Sequence, residues 1–170
     1  LCHIDQFGLA RALDRAFGMF ALGLIDRQSR RLILVRDRVG EKPLYYSRSD
    51  NSFLFGSELK ALRALKRCPR SVDRESFANF IRYGFITSPQ TIYQNIFKVR
   101  AGEMVWISLD DPGIRLTKQR WWAPLTPSVQ PKFSNPLPAR NYLTKFDEVI
   151  EEVVNEQCTA DVSVGVLLSS

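Results

Sequence analysis

Apolar and polar positions along this chain follow two periods in turn. In FGLARALDRA, Leu9, Leu13 and Ala16 recur at helical spacing, which predicts a helix over residues 5–16. The pattern then changes to runs of aromatic and aliphatic residues. FGMFALGLID and RLILVRD flank the polar turn RQSR and predict a hairpin, with Gly18 and Gly23 interrupting its first strand. After the connection RVGEK, the runs PLYYS and SFLFGS repeat the arrangement about RSDN. Four strands in close succession, joined by short polar turns, predict one antiparallel sheet. SELKALRAL follows, with Ser57 as the expected N-cap and Leu59, Leu62 and Leu65 as an apolar stripe.

Past KRCPR the texture changes. SVDRESFANFIRYG predicts a helix capped by Asp73 and ended by Gly84. FITSPQTIYQNIFKV carries neither period and reads as an ordered loop with a short turn. RAGEMVWISL reads as a strand, DDPG as a turn and IRLTKQRWW as the partner strand. Residues 123–138 hold five prolines and no periodicity, the composition of a linker. ARNYLTKFDEVIEEVVNEQC is an amphipathic helix with Leu143, Phe146, Val149, Ile150 and Val153 on one side. In DVSVGVLLSS, the residues Val162, Val164, Val166, Leu167 and Leu168 read as a buried strand, and helix-then-strand is how an α/β sheet opens.

Composition narrows the class. In 170 residues, 45% are apolar, enough for a core. No run approaches the roughly 18 to 20 apolar residues of a membrane span, and LCHIDQFG has no apolar leader segment, so a cytoplasmic chain without a membrane partner is expected. Cys2, Cys68 and Cys158 are scattered and His3 is the sole histidine, which favours free thiols over a His/Cys metal site. The net charge of +6 raises the question of nucleic acid. The densest basic stretch, RALKRCPR, has no interleaved aromatics and reads as a solvated face, so no nucleic-acid partner is expected.

The most unusual local pattern is RDRVGEKPLYY, Arg36 to Tyr46. Read by itself it is a charged turn in which Asp37 pairs with an arginine and Gly40 takes a positive φ. That accounts for the charges but not for the order of Gly40, Pro43 and Leu44 between two hairpins. In this order and spacing, GMFALGLID, RDRVGEKPLYY and FGSELKALRAL resemble the glutaminase domain of glutamine-dependent asparagine synthetases, which are class II glutamine amidotransferases. IRYGFITSPQTIYQNIFKVRAGEMVWIS resembles the connector of the same enzymes, and DVSVGVLLSS the strand that enters their synthetase domain. The Arg-Asp, Gly, Pro-Leu pattern alone also occurs in glutamine phosphoribosylpyrophosphate amidotransferases. The LKALRAL block and the synthetase-type ending favour the asparagine synthetases.

The resemblance implies an α+β fold: the C-terminal half of an Ntn-type amidotransferase domain, then the first helix and strand of an α/β ATP-pyrophosphatase-type domain. Residues 1–70 would belong to the glutaminase domain, 71–122 to a connector helix and hairpin, 123–138 to the linker and 139–170 to the synthetase domain. This chain would then be an interior piece, inactive by itself. Enzymes of the family hydrolyse glutamine with an N-terminal Cys whose own α-amine is the base. The ammonia passes internally to a second site, where ATP and Mg²⁺ activate aspartate as an acyl-adenylate and asparagine forms. Glutamine, aspartate and ATP are the implied small-molecule partners, and the full-length enzyme a possible homodimer. Two alternatives stand beside this reading. One is another ATP-dependent class II amidotransferase, acting on a sugar carboxylate or forming a β-lactam. The other is a non-enzymatic basic interaction module.

Cys2 invites assignment as the nucleophile. In the family, however, the segment before GMFAL is a helix deep inside the glutaminase domain, and the glutamine-binding residues lie upstream of it. Cys2 therefore reads as a small apolar residue, His3 as a polar helix residue, and no catalytic residue is assigned. By resemblance, Leu168 and Ser169 enter a Ser-Gly-Gly-x-Asp-Ser loop that holds the pyrophosphate of ATP, and Ser170 stands where its first glycine belongs. Gly18, Met19 and Phe20 would lie near the ammonia path, although Met19 and Phe20 read more simply as sheet core. Trp121 and Trp122 read as packing residues.

Overall fold

A computed structural model describes residues 2–49, 51–124 and 139–167. The chain forms two compact units, residues 1–124 and 125–170. The first opens with α1 (Cys2–Asp14), which begins earlier than its periodicity predicts and is broken at Gly8 by a φ of 79°. Two hairpins follow, β1 (Ala21–Asp26) with β2 (Arg31–Arg36) and β3 (Tyr45–Ser49) with β4 (Ser52–Gly56).

Both hairpins form as predicted, but they do not share a sheet. On its other edge β2 pairs antiparallel with β6 (Glu103–Ser108), which pairs with β7 (Leu116–Arg120), giving the order β1-β2-β6-β7. The second hairpin joins β5 (Ile96–Lys98) in the order β4-β3-β5. The cause is burial. Leu32 and Leu34 of β2 and Val105 and Ile107 of β6 form one core with Leu44 and Tyr46, against which Phe53 and Phe97 pack. Two stacked sheets enclose that core, whereas one four-stranded meander would leave it open on a face. The first sheet therefore runs across the boundary anticipated near residue 70.

Helices lie outside the two sheets. Leu9 and Leu13 of α1 share a cleft with Met104, Gln119 and Trp121 along the first sheet. Beyond the second sheet, Leu62, Cys68 and Ile96 form a smaller core with Tyr45, Leu54, Leu59 and Tyr93. There α2 (Leu59–Arg63) is a short helix whose N-cap is Glu58, not Ser57, and Leu65 falls outside the stripe, 49% exposed. α3 (Arg74–Tyr83) has the expected ends, Asp73 and a left-handed Gly84 with φ 77°. Asp73 acts differently from an ordinary cap: its carboxylate accepts from the Ser76 hydroxyl at 2.6 Å, not from a backbone N–H. β5 lies in the stretch read as loop, because three residues are too few to show a period of two.

In the second unit α4 (Ala139–Gln157) matches its prediction, with Leu143, Phe146, Val149, Ile150 and Val153 all at least 44% exposed. The buried strand expected after it is absent among the described residues. Val162, Val164, Val166 and Leu167 are exposed and unpaired, because a strand needs a neighbour for its backbone groups and no described segment supplies one. Leu168, Ser169 and Ser170, and most of the proline-rich segment, lie outside the described residues. No helix among the described residues is long and apolar enough to cross a membrane.

Candidate functional site

The strand registers bring Ala21 opposite Arg36, Val35 opposite Met104 and Glu103 opposite Arg120. One end of the first sheet thus gathers the approach to β1, the exit of β2, the entry to β6 and the exit of β7. The loop RDRVGEK is built at this end, around two side chains that leave β2 in succession.

Asp37 is fully buried. Its carboxylate pairs with backbone, not with an arginine as its sequence suggests. One oxygen accepts the N–H groups of Gly40 at 2.6 Å and Glu41 at 2.9 Å, and the other accepts Lys42 N–H at 2.9 Å. The adjacent Arg36 does the converse. Its guanidinium donates to the carbonyls of Lys42 at 2.7 Å, Val99 at 2.8 Å and Gly40 at 2.5 Å. A loop whose polar backbone faces inward needs both signs of partner, and the Arg-Asp dipeptide supplies them. Burial pushes the Asp37 carboxyl up, but the N–H groups of Lys42, Glu41 and Gly40 outweigh it and hold the pKa below the ordinary value. Burial lowers the Arg36 pKa, opposed by the charge of Asp37.

Gly40 has the positive φ its sequence context predicts, 75°, and a second constraint besides. A Cβ there would stand 3.1 Å from Ala101 Cβ and 3.2 Å from Arg36 Cζ. This close approach explains why a glycine stands between the arginine and the proline.

The same end is tied together by backbone. Asp37 N–H donates to Phe20 O at 3.0 Å, and Gly102 N–H donates to Asp37 O at 2.8 Å. Gly102 O accepts from the amides of Trp121 at 2.9 Å and Trp122 at 3.2 Å, while the Trp121 indole donates to Arg36 O at 3.1 Å. Trp121 also stacks on Phe20 with ring centres 6.0 Å apart, so it packs as expected. Phe20 is half-buried, but Met19 is 47% exposed and is not sheet core: it precedes the first paired residue of β1. Arg38 lies over the rings of Phe17 at 4.7 Å and Trp121 at 6.0 Å and donates to Asp14 O at 3.0 Å. The roles of Gly102 and of the Trp121 indole were not legible in sequence, since Gly102 donates to Asp37, 65 residues before it, and the indole to Arg36, 85 residues before it.

The structure places Cys2 at the first position of α1 and leaves His3 exposed, its ring 4.7 Å from Phe7. Because Leu1 precedes it, the nitrogen of Cys2 is a peptide amide and cannot serve as the base that an N-terminal nucleophile requires. The 170-residue chain should therefore release no glutamate from glutamine above a buffer blank, and Cys2→Ala should change nothing. Glutamine hydrolysis abolished by Cys2→Ala would overturn this. Cys68 is buried and its thiol pushed up by that burial, against the pull of Arg63 and Arg70, whereas Cys158 is exposed. In a Cys2→Ser background a thiol reagent should modify one cysteine at once and the second only on unfolding. Two fast-reacting thiols in the folded chain would refute that placement.

Residues 1–122 match the family model described as a glutamine amidotransferase domain, and the match ends at the tryptophan pair, two residues before the end of the first unit. The chain belongs to that family. Among curated proteins, this glutamine amidotransferase domain and the segment after it are similar to the "Putative asparagine synthetase [glutamine-hydrolyzing] 2" of Methanocaldococcus jannaschii. The two are 30% identical over 154 residues, 89% of this chain and 28% of the relative. "Asparagine synthetase [glutamine-hydrolyzing] 3" of Bacillus subtilis is 28% identical over 165 residues, 92% of this chain and 24% of the relative. "Amidase chry2" of Gibberella zeae is 30% identical over 157 residues, 89% of this chain and 21% of the relative. The chain thus spans about a quarter of the length of the curated relatives it matches.

Proposed function

We propose that the complete protein is a glutamine-dependent asparagine synthetase, in which this domain helps deliver ammonia from glutamine to an activated aspartate. One observation carries the reading. The similarity to proteins named asparagine synthetase extends over 154 and 165 residues, beyond the 122 of the amidotransferase domain and into α4. It therefore takes in the start of the second unit and not the glutaminase fold alone.

In this reading glutamine and water give glutamate and ammonia, and ammonia displaces the leaving group from an activated carboxylate. ATP, with Mg²⁺, supplies that activation. Leu168 and Ser169 are the residues proposed to approach the nucleotide. The reaction belongs to the cytoplasm, where aspartate and ATP are available. A second reading keeps the chemistry and changes the acceptor. It is favoured by the similarity to "Amidase chry2", at the same identity as the first relative.

The test is product analysis of the complete protein supplied with glutamine, ATP and Mg²⁺, with and without aspartate. Asparagine and AMP should appear together, and only with aspartate present. AMP formation that ignores aspartate but responds to another carboxylate would overturn the aspartate assignment in favour of the second reading.

A further inference from the structure

We propose that the surface formed by residues 63–72 is a docking site for an acidic protein segment that carries apolar side chains between its carboxylates. From Lys60 to Arg74 the chain has six cations and one carboxylate, and all six cations are exposed. Lys60 pairs with Glu58 at 2.7 Å, and the other five form no ion pair among the described residues. The one carboxylate, Asp73, is occupied by the Ser76 hydroxyl. Surfaces without a partner intersperse both signs, because like charges held together repel. The fold also orders this surface. Leu65 N–H donates to Leu62 O at 3.1 Å and Cys68 N–H to Leu65 O at 3.0 Å, which turns the chain back so that Arg70 donates to Arg63 O at 3.5 Å. Tyr93 fixes Arg63 further: the guanidinium donates to the phenol oxygen at 2.7 Å and lies 4.9 Å from the ring centre. Tyr93 in turn forms a β-bridge with Val72. Arg63, Arg70, Leu65 and Val72 thus belong to one ordered surface of the first unit.

That surface selects the chemistry of its partner. A guanidinium fork meets a carboxylate in two parallel hydrogen bonds, and one that is already anchored loses less freedom on binding. Leu65 and Val72 are large apolar residues left half exposed among these cations. Apolar ground rimmed by arginine is the make-up of a protein interface. Nucleic acid fits less well, since its unpaired bases bind by stacking on free aromatic faces and the Tyr93 ring carries Arg63. Sequence alone reads RALKRCPR as a solvated face. What changes that reading is the anchoring of Arg63 by a tyrosine 30 residues away and the exposure of Leu65. The inference does not depend on which acceptor the protein amidates.

The test is fluorescence anisotropy of the complete protein with three labelled probes: a peptide of Glu-Glu-Leu repeats, an oligo-glutamate of equal charge and an oligouridylate. The Glu-Glu-Leu peptide should bind best, and its binding should weaken as salt rises. Lys66→Glu combined with Arg67→Glu should weaken it by about tenfold. Both side chains are exposed and outside every ion pair among the described residues, so this variant should fold as wild type does. Leu65→Ser should weaken the same peptide by about fivefold and leave oligo-glutamate unchanged. No binding of the peptide, equal binding by the charge-reversed variant, or an equal loss of both acidic probes in Leu65→Ser would each overturn the inference. Tighter binding of oligouridylate than of the peptide would overturn it in favour of nucleic acid. A dimer of the complete protein that the charge reversal dissociates would overturn it in favour of a second copy.

Discussion

Replacing Asp37 by alanine should destabilise the first unit by about 3–5 kcal/mol, the range for removing one partner of a buried charged network. The substitution leaves the N–H groups of Gly40, Glu41 and Lys42, all in part-buried bonds, without their acceptor, and removes the negative charge beside the half-buried Arg36 guanidinium. Asp37→Asn separates shape from charge. An asparagine oxygen can still accept from Gly40 and Glu41, but its amide nitrogen would face the N–H of Lys42, donor against donor. A smaller loss of roughly 1–3 kcal/mol is expected for that variant. Urea titration followed by tryptophan fluorescence reads both values, and an Asp37→Asn midpoint equal to wild type would show that the carboxylate does not hold the loop.

The same group gives a pH dependence of defined sign. The folded-state pKa of Asp37 lies below its ordinary value, so the folded protein binds fewer protons there than the unfolded chain. The stabilisation is complete above the unfolded value, near 4, and is lost as pH falls from there through the folded value. The urea midpoint of wild type should decline across that window, and Asp37→Asn should lack this part of the decline. An identical acid profile in the two proteins would contradict the assignment.

Gly102→Ala should cost about 2–4 kcal/mol, because backbone strain and steric overlap act together there. The residue has a φ of 62°, and an added Cβ would overlap the carbonyl oxygen of Trp122 and stand 3.2 Å from its carbonyl carbon. Those are backbone atoms, which cannot swing aside as a side chain would. Relief requires Trp122 to move, and with it the amide bonds that hold the exit. Gly84→Ala is the matched comparison: φ is 77° at the end of α3, and nothing lies within 4 Å of the added carbon. It should lose only the left-handed penalty, about 1–2 kcal/mol. The difference between the two variants measures the steric part. Equal losses would mean that the close approach of Trp122 does not constrain position 102.

Elements whose signals are local were legible in the sequence. Both hairpins have runs of aromatic and aliphatic residues about short polar turns, and α3 has a cap residue before it and a glycine after it, so each is present within a few residues of its predicted limits. The RDRVGEK loop was legible as an oddity, and the resemblance it carries led to the family that residues 1–122 match. Its wiring was not legible. Charge alone suggests an ion pair for Asp37, yet three backbone N–H groups converge on it once Gly40 turns the chain back.

Taken by itself, the sequence determined which segments other than β5 become strands and helices in the first unit, where the glycine turns fall, and which family the chain resembles. Tertiary structure decided which strands share a sheet, that β5 exists, what Asp37 and Arg36 hold, and that Met19 is exposed. The reason is physical. Periodicity reports which way a side chain faces, but not what it faces. The partner of β2 is β6, some 70 residues later, chosen because Leu32 and Leu34 share a core with Val105 and Ile107. Where no such partner is described, as at Val162 to Leu167, an equally apolar pattern produces no strand at all.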